Sequence, residues 1–256
     1  MEKILFVPDT HAPFEDQQAF RLLLKVAKDF KPDHTIILGD FVDFYSVSSH
    51  DKDPARGINF DAELDAAQTL LHTLRLTVGR KSNCVYLAGN HEFRLERYVS
   101  NNAPQLHRVM SFKRIMELDR LGYKYIPYKD FLKIGRLYIT HDTGRSGKSC
   151  AQQTLMDTQH NIVIGHAHRI SYCVEGDALG HPHVAACFGW LGDKNACDYM
   201  HKIRANRDWA LGFGIGYLMP NGNVHLTPIP IVDYQCVVEG KQYQTKSPAR
   251  RSRRRS

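Results

Sequence analysis

Five short apolar runs in this chain each end on residue types that bind metal ions, and that pattern confines the chain to a sheet-centred fold whose strand ends meet. Ile4 to Pro8 runs into Asp9-Thr10-His11, Thr35 to Gly39 into Asp40, and Cys84 to Gly89 into Asn90-His91. Leu137 to Thr140 runs into His141, and Ile162 to Gly165 into His166-Ala167-His168. Short β-rich runs between longer amphipathic stretches read as buried strands, and ligands of sheet enzymes gather beyond strand ends. Besides His91, the five ends offer two carboxylates, one side-chain amide and four imidazoles, a set suited to manganese, iron or zinc. Seven donors exceed one tetrahedral site, so two ions are expected. Any single run by itself reads better as a strand simply closed by a polar residue in a chain with fourteen histidines. Asp-x-His and His-x-His spacings put residues i and i+2 on one side of an extended segment, and five such ends in succession favour the metal site.

The 256 residues suffice for one α/β core, and nothing in them demands a second. One domain over 1–240 and a basic tail over 241–256 are expected. The apolar stretch after Lys3 is cut short by Pro8 and Asp9, too brief for a secretory signal, and no later run reaches membrane-spanning length. A cytoplasmic protein with no membrane partner follows. Six cysteines without a Cys-x-x-Cys pair suit a reducing compartment and exclude a zinc ribbon or a disulfide framework. The net charge of +7 resides in the residues from Lys241 onward, which carry seven basic side chains and no acid. A run of Arg and Ser after Ser247-Pro248 has nothing to bury, so the sequence predicts a disordered tail. It either holds a polyanion such as nucleic acid or is simply solvated.

Asp16 to Phe30 and Phe60 to Val78 carry apolar residues at helical spacing, the second opened by Asn59 or Asp61. Strand and helix alternate over the first ninety residues, which argues for parallel βαβ units. Beyond Leu121, short strands are expected at Tyr123–Ile126, Phe131–Ile134, Leu137–Thr140, Ser171–Glu175, Val184–Phe188, Phe213–Met219 and Asn223–Ile231. Helices are expected near Ala103–Leu118 and Ser149–Thr158, and the mixture suggests a second sheet packed on the first.

The ordered motifs Asp9-x-His11, Gly39-Asp40-x-x-Asp43, Gly89-Asn90-His91-Glu92, a lone His141 and Gly165-His166-x-His168 resemble the calcineurin-like metallophosphoesterase superfamily. The resemblance runs from about Ile4 to His168. It implies an α/β fold in which a two-sheet β-sandwich is flanked by helices, with two divalent cations, manganese foremost and iron or zinc as alternatives. Carried over by position, Asp9, His11, Asp40 and His168 would hold the first ion. Asp40, Asn90, His141 and His166 would hold the second, with Asp40 as the bridge. The resemblance implies a metal-dependent phosphoester hydrolase in which a hydroxide shared by the two ions attacks phosphorus. His91 would protonate the leaving group, and Asp43 would hold its tautomer. Phe44-Tyr45 stands where the phosphoprotein phosphatase branch has Arg-Gly, and His168 is the second histidine that this branch lacks. Both lean toward the nuclease, phosphodiesterase and small-phosphatase branches. Ala12 and Asp142 replace glycines usual after the first and fourth motifs, and the wording is nearest to stand-alone phage and bacterial phosphoesterases.

Arg94 and Arg97, just after His91, are candidates for a replacement phosphate clamp. Gly144 to Ser149 fails as a P-loop because Asp142 stands where the first glycine is needed, yet Lys148 at a helix start can hold a substrate phosphate. Trp190 to Trp209 interleaves two tryptophans and Tyr199 with His201, Lys202, Arg204 and Arg207, which suits base stacking as well as an amphipathic segment over the second sheet. His181 and His183 have the spacing of a metal pair but no evident acidic companion, and read as residues opening a strand. Nucleotide or nucleic acid is the favoured substrate class. The alternatives are a small-molecule phosphomonoesterase and a non-catalytic metal-bound interaction scaffold.

Overall fold

The computed structural model describes residues 1–49, 59–196 and 208–246. Two sheets face each other. In the first, β1 (Glu2–Val7), β2 (His34–Ile37), β3 (Asn83–Leu87) and β4 (Tyr123–Ile126) lie side by side and parallel. Antiparallel β10 (Gly212–Leu218) and β11 (Val224–Pro230) complete the β1 edge. The second sheet has the order β5 (Leu132–Ile134), β6 (Leu137–Thr140), β7 (Ile162–Ile164), β9 (Pro182–Phe188), β8 (Ile170–Gly176), with β6, β7 and β9 parallel.

Side-chain alternation assigns each face its partner. Ile4 and Phe6 of β1, Ile36 and Leu38 of the β2 segment, and Val85 and Leu87 of β3 meet Leu137, Ile139, Val163, Ala186 and Phe188 of the second sheet. The intervening residues Leu5, Val7, Ile37 and Tyr86 face helices on the outside. Those helices are α1 (Gln17–Phe30), α2 (Phe60–Val78) and α3 (Asn90–Asn102). The outer face of the second sheet is covered by α6 (Cys150–Thr158) through Cys150, Ala151 and Leu155. The result is the helix-flanked two-sheet sandwich that the motif order implied.

The side chain of Asp16 caps α1 by accepting from the N–H groups of Gln18 and Ala19, and Asn59 caps α2 by accepting from Ala62. Where a helix is expected near Ala103–Leu118 the chain instead forms a 3₁₀ turn at Pro104–Leu106 and single turns α4 (Phe112–Ile115) and α5 (Leu118–Leu121), and the long helix lies before them as α3. Its start at Asn90 is set by Glu92, whose side chain accepts from the N-cap amide of Gly89 at 2.6 Å. The boundary expected at Gly240 is also displaced. Residues Lys241–Gln244 form β13, paired with β12 (Gln235–Val238) through a turn in which Glu239 and Gly240 both have positive φ. Tyr243 is buried in the outer core, and Lys241 is paired with Asp29. Residues 247–256 of the expected tail lie outside the described residues. His181 and His183 do have an acidic companion, Asp177 Oδ2 at 3.2 and 3.3 Å across the β8–β9 turn.

The fully buried Glu92 joins three pieces of chain. Oε1 accepts from the N–H groups of Phe41 and Val42 and from the Tyr86 hydroxyl, and Oε2 accepts from the N–H groups of Asp40 and Gly89. All five partners are donors, so Glu92→Gln must turn an NH₂ group toward at least two of them. A loss of about 2 to 4 kcal/mol in denaturant unfolding is expected.

Candidate metal centre

All five strand ends meet at one edge of the sandwich. Asp9 and His11 follow β1, Asp40 follows β2, and Asn90 opens α3 directly after β3. His141 follows β6, while His166 and His168 follow β7. Four of these residues have left-handed backbone: His11 at φ 55°, Asp40 at 48°, His166 at 63° and His168 at 54°. Each such residue costs roughly 1 to 3 kcal/mol, and such strain clusters where side chains must be aimed at a site. Asp9, Asp40, His11, His141 and His168 are buried.

The seven donors fall into two sets sharing Asp40. Asp9, His11, Asp40 and His168 place ligand atoms within 4.8 Å of one another, and so do Asp40, His141 and His166. Asn90 Oδ1 lies 3.0 Å from His141 Nε2 and 2.9 Å from His166 Nδ1, which adds it to the second set. The first set has the character of a cation site. His11 Nε2 and His168 Nε2 face each other at 3.1 Å, and Asp9 Oδ2 is buried without a hydrogen-bond partner among the described residues. Mixed carboxylate, amide and imidazole donors suit a divalent transition metal. Burial lowers the affinity of His168 for a proton to a pKa of about 4. Burial acts on His141 in the same sense, but the Asp40 carboxylate outweighs it and raises that pKa to about 10. Asp40 itself, despite burial, is held well below the usual carboxylate range by His141 and His91.

Neighbouring groups fix the tautomers of the ligands. His141 Nδ1 donates to the Leu38 carbonyl at 2.7 Å, which turns Nε2 toward Asn90 and Asp40. His11 Nδ1 lies 3.0 Å from Asp43 Oδ2, which turns its Nε2 inward. The Asp43 carboxylate thus reaches His11 more closely than His91, whose Nδ1 is 3.4 Å from Oδ2 but only 2.8 Å from the Asp43 carbonyl. Arg94 sits beside this pair, with Nη2 at 2.9 Å from His91 Nε2 and Nη1 at 3.1 Å from the Asp43 carbonyl.

The remaining candidates are less central. Arg97 is exposed on α3. Lys148 is exposed too and pairs with Asp208 at 3.4 Å. Trp190 is fully buried and stacks on the His168 ring, with centroids 4.9 Å apart and planes 14° from parallel. Trp209 meets the same ring edge-on at 4.2 Å. The two indoles wall a metal-ligand candidate, and Trp190, being fully buried, has no exposed face on which a base could stack. Residues 197–207, with Tyr199, His201, Lys202, Arg204 and Arg207, lie outside the described residues. Sequence reading missed the wall because nothing in Gly189-Trp190 signals contact with His168. It also missed the role of Glu92, although the Gly-x-x-Glu spacing is that of a capping box.

Two glycines let the loops approach. A Cβ on Gly39, which has φ +94°, would lie 2.4 Å from His141 Nδ1, and a Cβ on Gly89 would lie 2.1 Å from Asp40 Oδ1. Gly89→Ala therefore displaces the carboxylate common to both sets. Its manganese affinity, measured by equilibrium dialysis, is expected to fall by roughly 10- to 100-fold.

The family model described as calcineurin-like phosphoesterase matches residues 2–218. The chain is 28% identical over 263 residues to the Gene 54 protein of Mycobacterium phage D29, covering 95% of this chain and 99% of that protein. The Gene 54 protein of Mycobacterium phage L5 is 26% identical over 265 residues, with the same coverage. Among solved structures, Yfce, a phosphoesterase from E. coli, aligns over 94% of this chain and 97% of its own at 13% identity and a TM-score of 0.42. With its motif residues assembled at one sandwich edge and the match extending over most of its length, the chain belongs to the calcineurin-like phosphoesterase family.

Proposed function

We propose that the protein hydrolyses a phosphodiester of nucleotide or nucleic-acid type, using two divalent cations, manganese foremost. The observation that carries this reading is the convergence of two donor sets on one shared carboxylate, Asp40, with an imidazole and a guanidinium alongside. Two cations held there supply Lewis acidity, lowering the pKa of water and neutralising phosphate charge. The chain's own residues do the rest. Arg94 lies over His91 Nε2 and is partly exposed, so a phosphate oxygen competes for it and frees that nitrogen. Once freed, that nitrogen can take a proton from solvent, which His91 then gives to the leaving oxygen while the Asp43 carbonyl holds Nδ1–H. Burial disfavours the charged imidazole, but Asp40 and Asp43 outweigh it and raise the His91 pKa, which keeps a proton available. Asp43 contributes twice, by its carbonyl to His91 and by its carboxylate to His11.

The arginines of the tail, Arg250, Arg251, Arg253, Arg254 and Arg255, favour a polyanionic substrate. No helix among the described residues is long and apolar enough to cross a membrane.

Manganese-dependent hydrolysis of bis-nitrophenyl phosphate and of nitrophenyl phosphate, measured side by side, tests the reading. His91→Ala is expected to lower diester turnover by roughly 10²- to 10⁴-fold with its metal content kept. Cleavage of the monoester alone would replace the reading with a phosphomonoesterase, and metal binding without turnover of either would replace it with a scaffold. Removing the residues after Lys246, so that the Tyr243 hairpin stays intact, is expected to weaken single-stranded DNA binding and make its salt dependence shallower by up to ~4 in log–log slope. An unchanged slope would remove nucleic acid from the proposal.

A further inference from the structure

Two aromatic rings at the rim of the centre have no part in the chemistry above. Phe93 lies two residues beyond His91, and Asn90, Phe93, Arg94 and Arg97 follow the i, i+3, i+4, i+7 spacing of a single face of α3. The apolar residues Leu95 and Val99 of the same helix are buried in the core, whereas Phe93 is 39% exposed. Its ring meets Tyr128 with centroids 5.5 Å apart and planes 35° from parallel. Tyr128 in turn stands 6.2 Å from the ring of His141, the imidazole that faces Asn90.

Tyr128 is fixed where it stands. Its hydroxyl donates to Asp142 Oδ2 at 3.0 Å, and the Asp130 N–H closes the turn onto the Pro127 carbonyl at 3.1 Å. The Asp130 carbonyl accepts from the hydroxyl of Thr140, the residue before His141. Lys129 extends its ammonium over the Tyr128 ring at 5.6 Å. A partly exposed phenyl ring, a held phenol ring and a cation, all within one helical turn or one ring contact of the metal-ligand candidates, match what holds a base beside its phosphate. Every nucleobase has a π-face, so such stacking needs no base-edge donors.

We infer that Phe93 and Tyr128 form a stacking subsite for a nucleobase attached to the phosphoester, so that the substrate class is nucleobase-bearing and excludes plain sugar phosphates. The inference rests on the proposed function in that the phosphate is taken to occupy the adjoining centre. Arg94, on the same helical face as Phe93, would then meet the phosphate while the base lies across the rings.

The test is calorimetric binding of thymidine 5′-monophosphate and deoxyribose 5-phosphate to the manganese-loaded, full-length protein and its F93A, F93Y, Y128A and Y128F variants. The wild type is expected to bind the nucleotide about tenfold more tightly than the sugar phosphate. F93A and Y128A should bring the two affinities together, while F93Y and Y128F, which keep a ring in place, should retain most of the preference. A wild-type protein that binds both probes equally, or F93A and Y128A variants that keep the full preference, would overturn the inference. Absence of turnover on every phosphoester would overturn the proposed function and leave this binding ratio measurable, so the two fail separately.

Discussion

Five hydrogen bonds converge on the buried carboxylate of Glu92, and the loop that presents Asp40 takes its shape from them. Three consecutive backbone N–H groups, those of Asp40, Phe41 and Val42, are gathered onto one side chain that belongs to the first turn of α3. The end of β2 and the start of α3 are thereby locked together. Asp40 can then return a bond, its Oδ1 accepting from the His91 N–H at 2.9 Å. The Glu92 carboxyl group sits at a helix N-terminus, where peptide dipoles favour negative charge, and its donors offset part of the burial that, with Asp40, still raises its pKa.

Such locking is what left-handed backbone at a non-glycine residue requires. His11, Asp40, His166 and His168 would not hold positive φ in an isolated loop. The strain is offset by the two cores that clamp the strands before them, one between the sheets and one beneath α1 and α2. Tertiary bonds fix the loops as well: the His11 N–H donates to the Asp40 carbonyl at 2.9 Å, and the Ala12 N–H to the Phe41 carbonyl at 2.8 Å. The loops after β1 and β2 are thus ordered by each other.

Much of this was legible in the chain because strand ends carry their chemistry with them. Asp9, Asp40, Asn90, His141 and His166 each follow a run whose burial the sequence betrays, and the order of the runs named the fold. What stayed hidden depended on contacts between distant segments. The stacking of Trp190 on His168 joins residues brought together only by the β7–β9 pairing and the loops beyond it. The preference of Asp43 for His11 is a matter of tenths of an ångström that no spacing encodes. The hairpin at Lys241–Gln244 was obscured by a composition that is polar except for Tyr243, whose burial anchors it.

The seven donors are divided between the two sheets. Asp9, His11, Asp40 and Asn90 belong to the first, and His141, His166 and His168 to the second. Any ion held by either set therefore spans the seam of the sandwich, like a rivet through two plates. The interlayer core behind it resists separation of the sheets by apolar burial, while the edge in front would be closed by coordination. Ion occupancy and resistance to unfolding become one equilibrium in such an arrangement, and the cohesion of the fold rises with the free concentration of the ion.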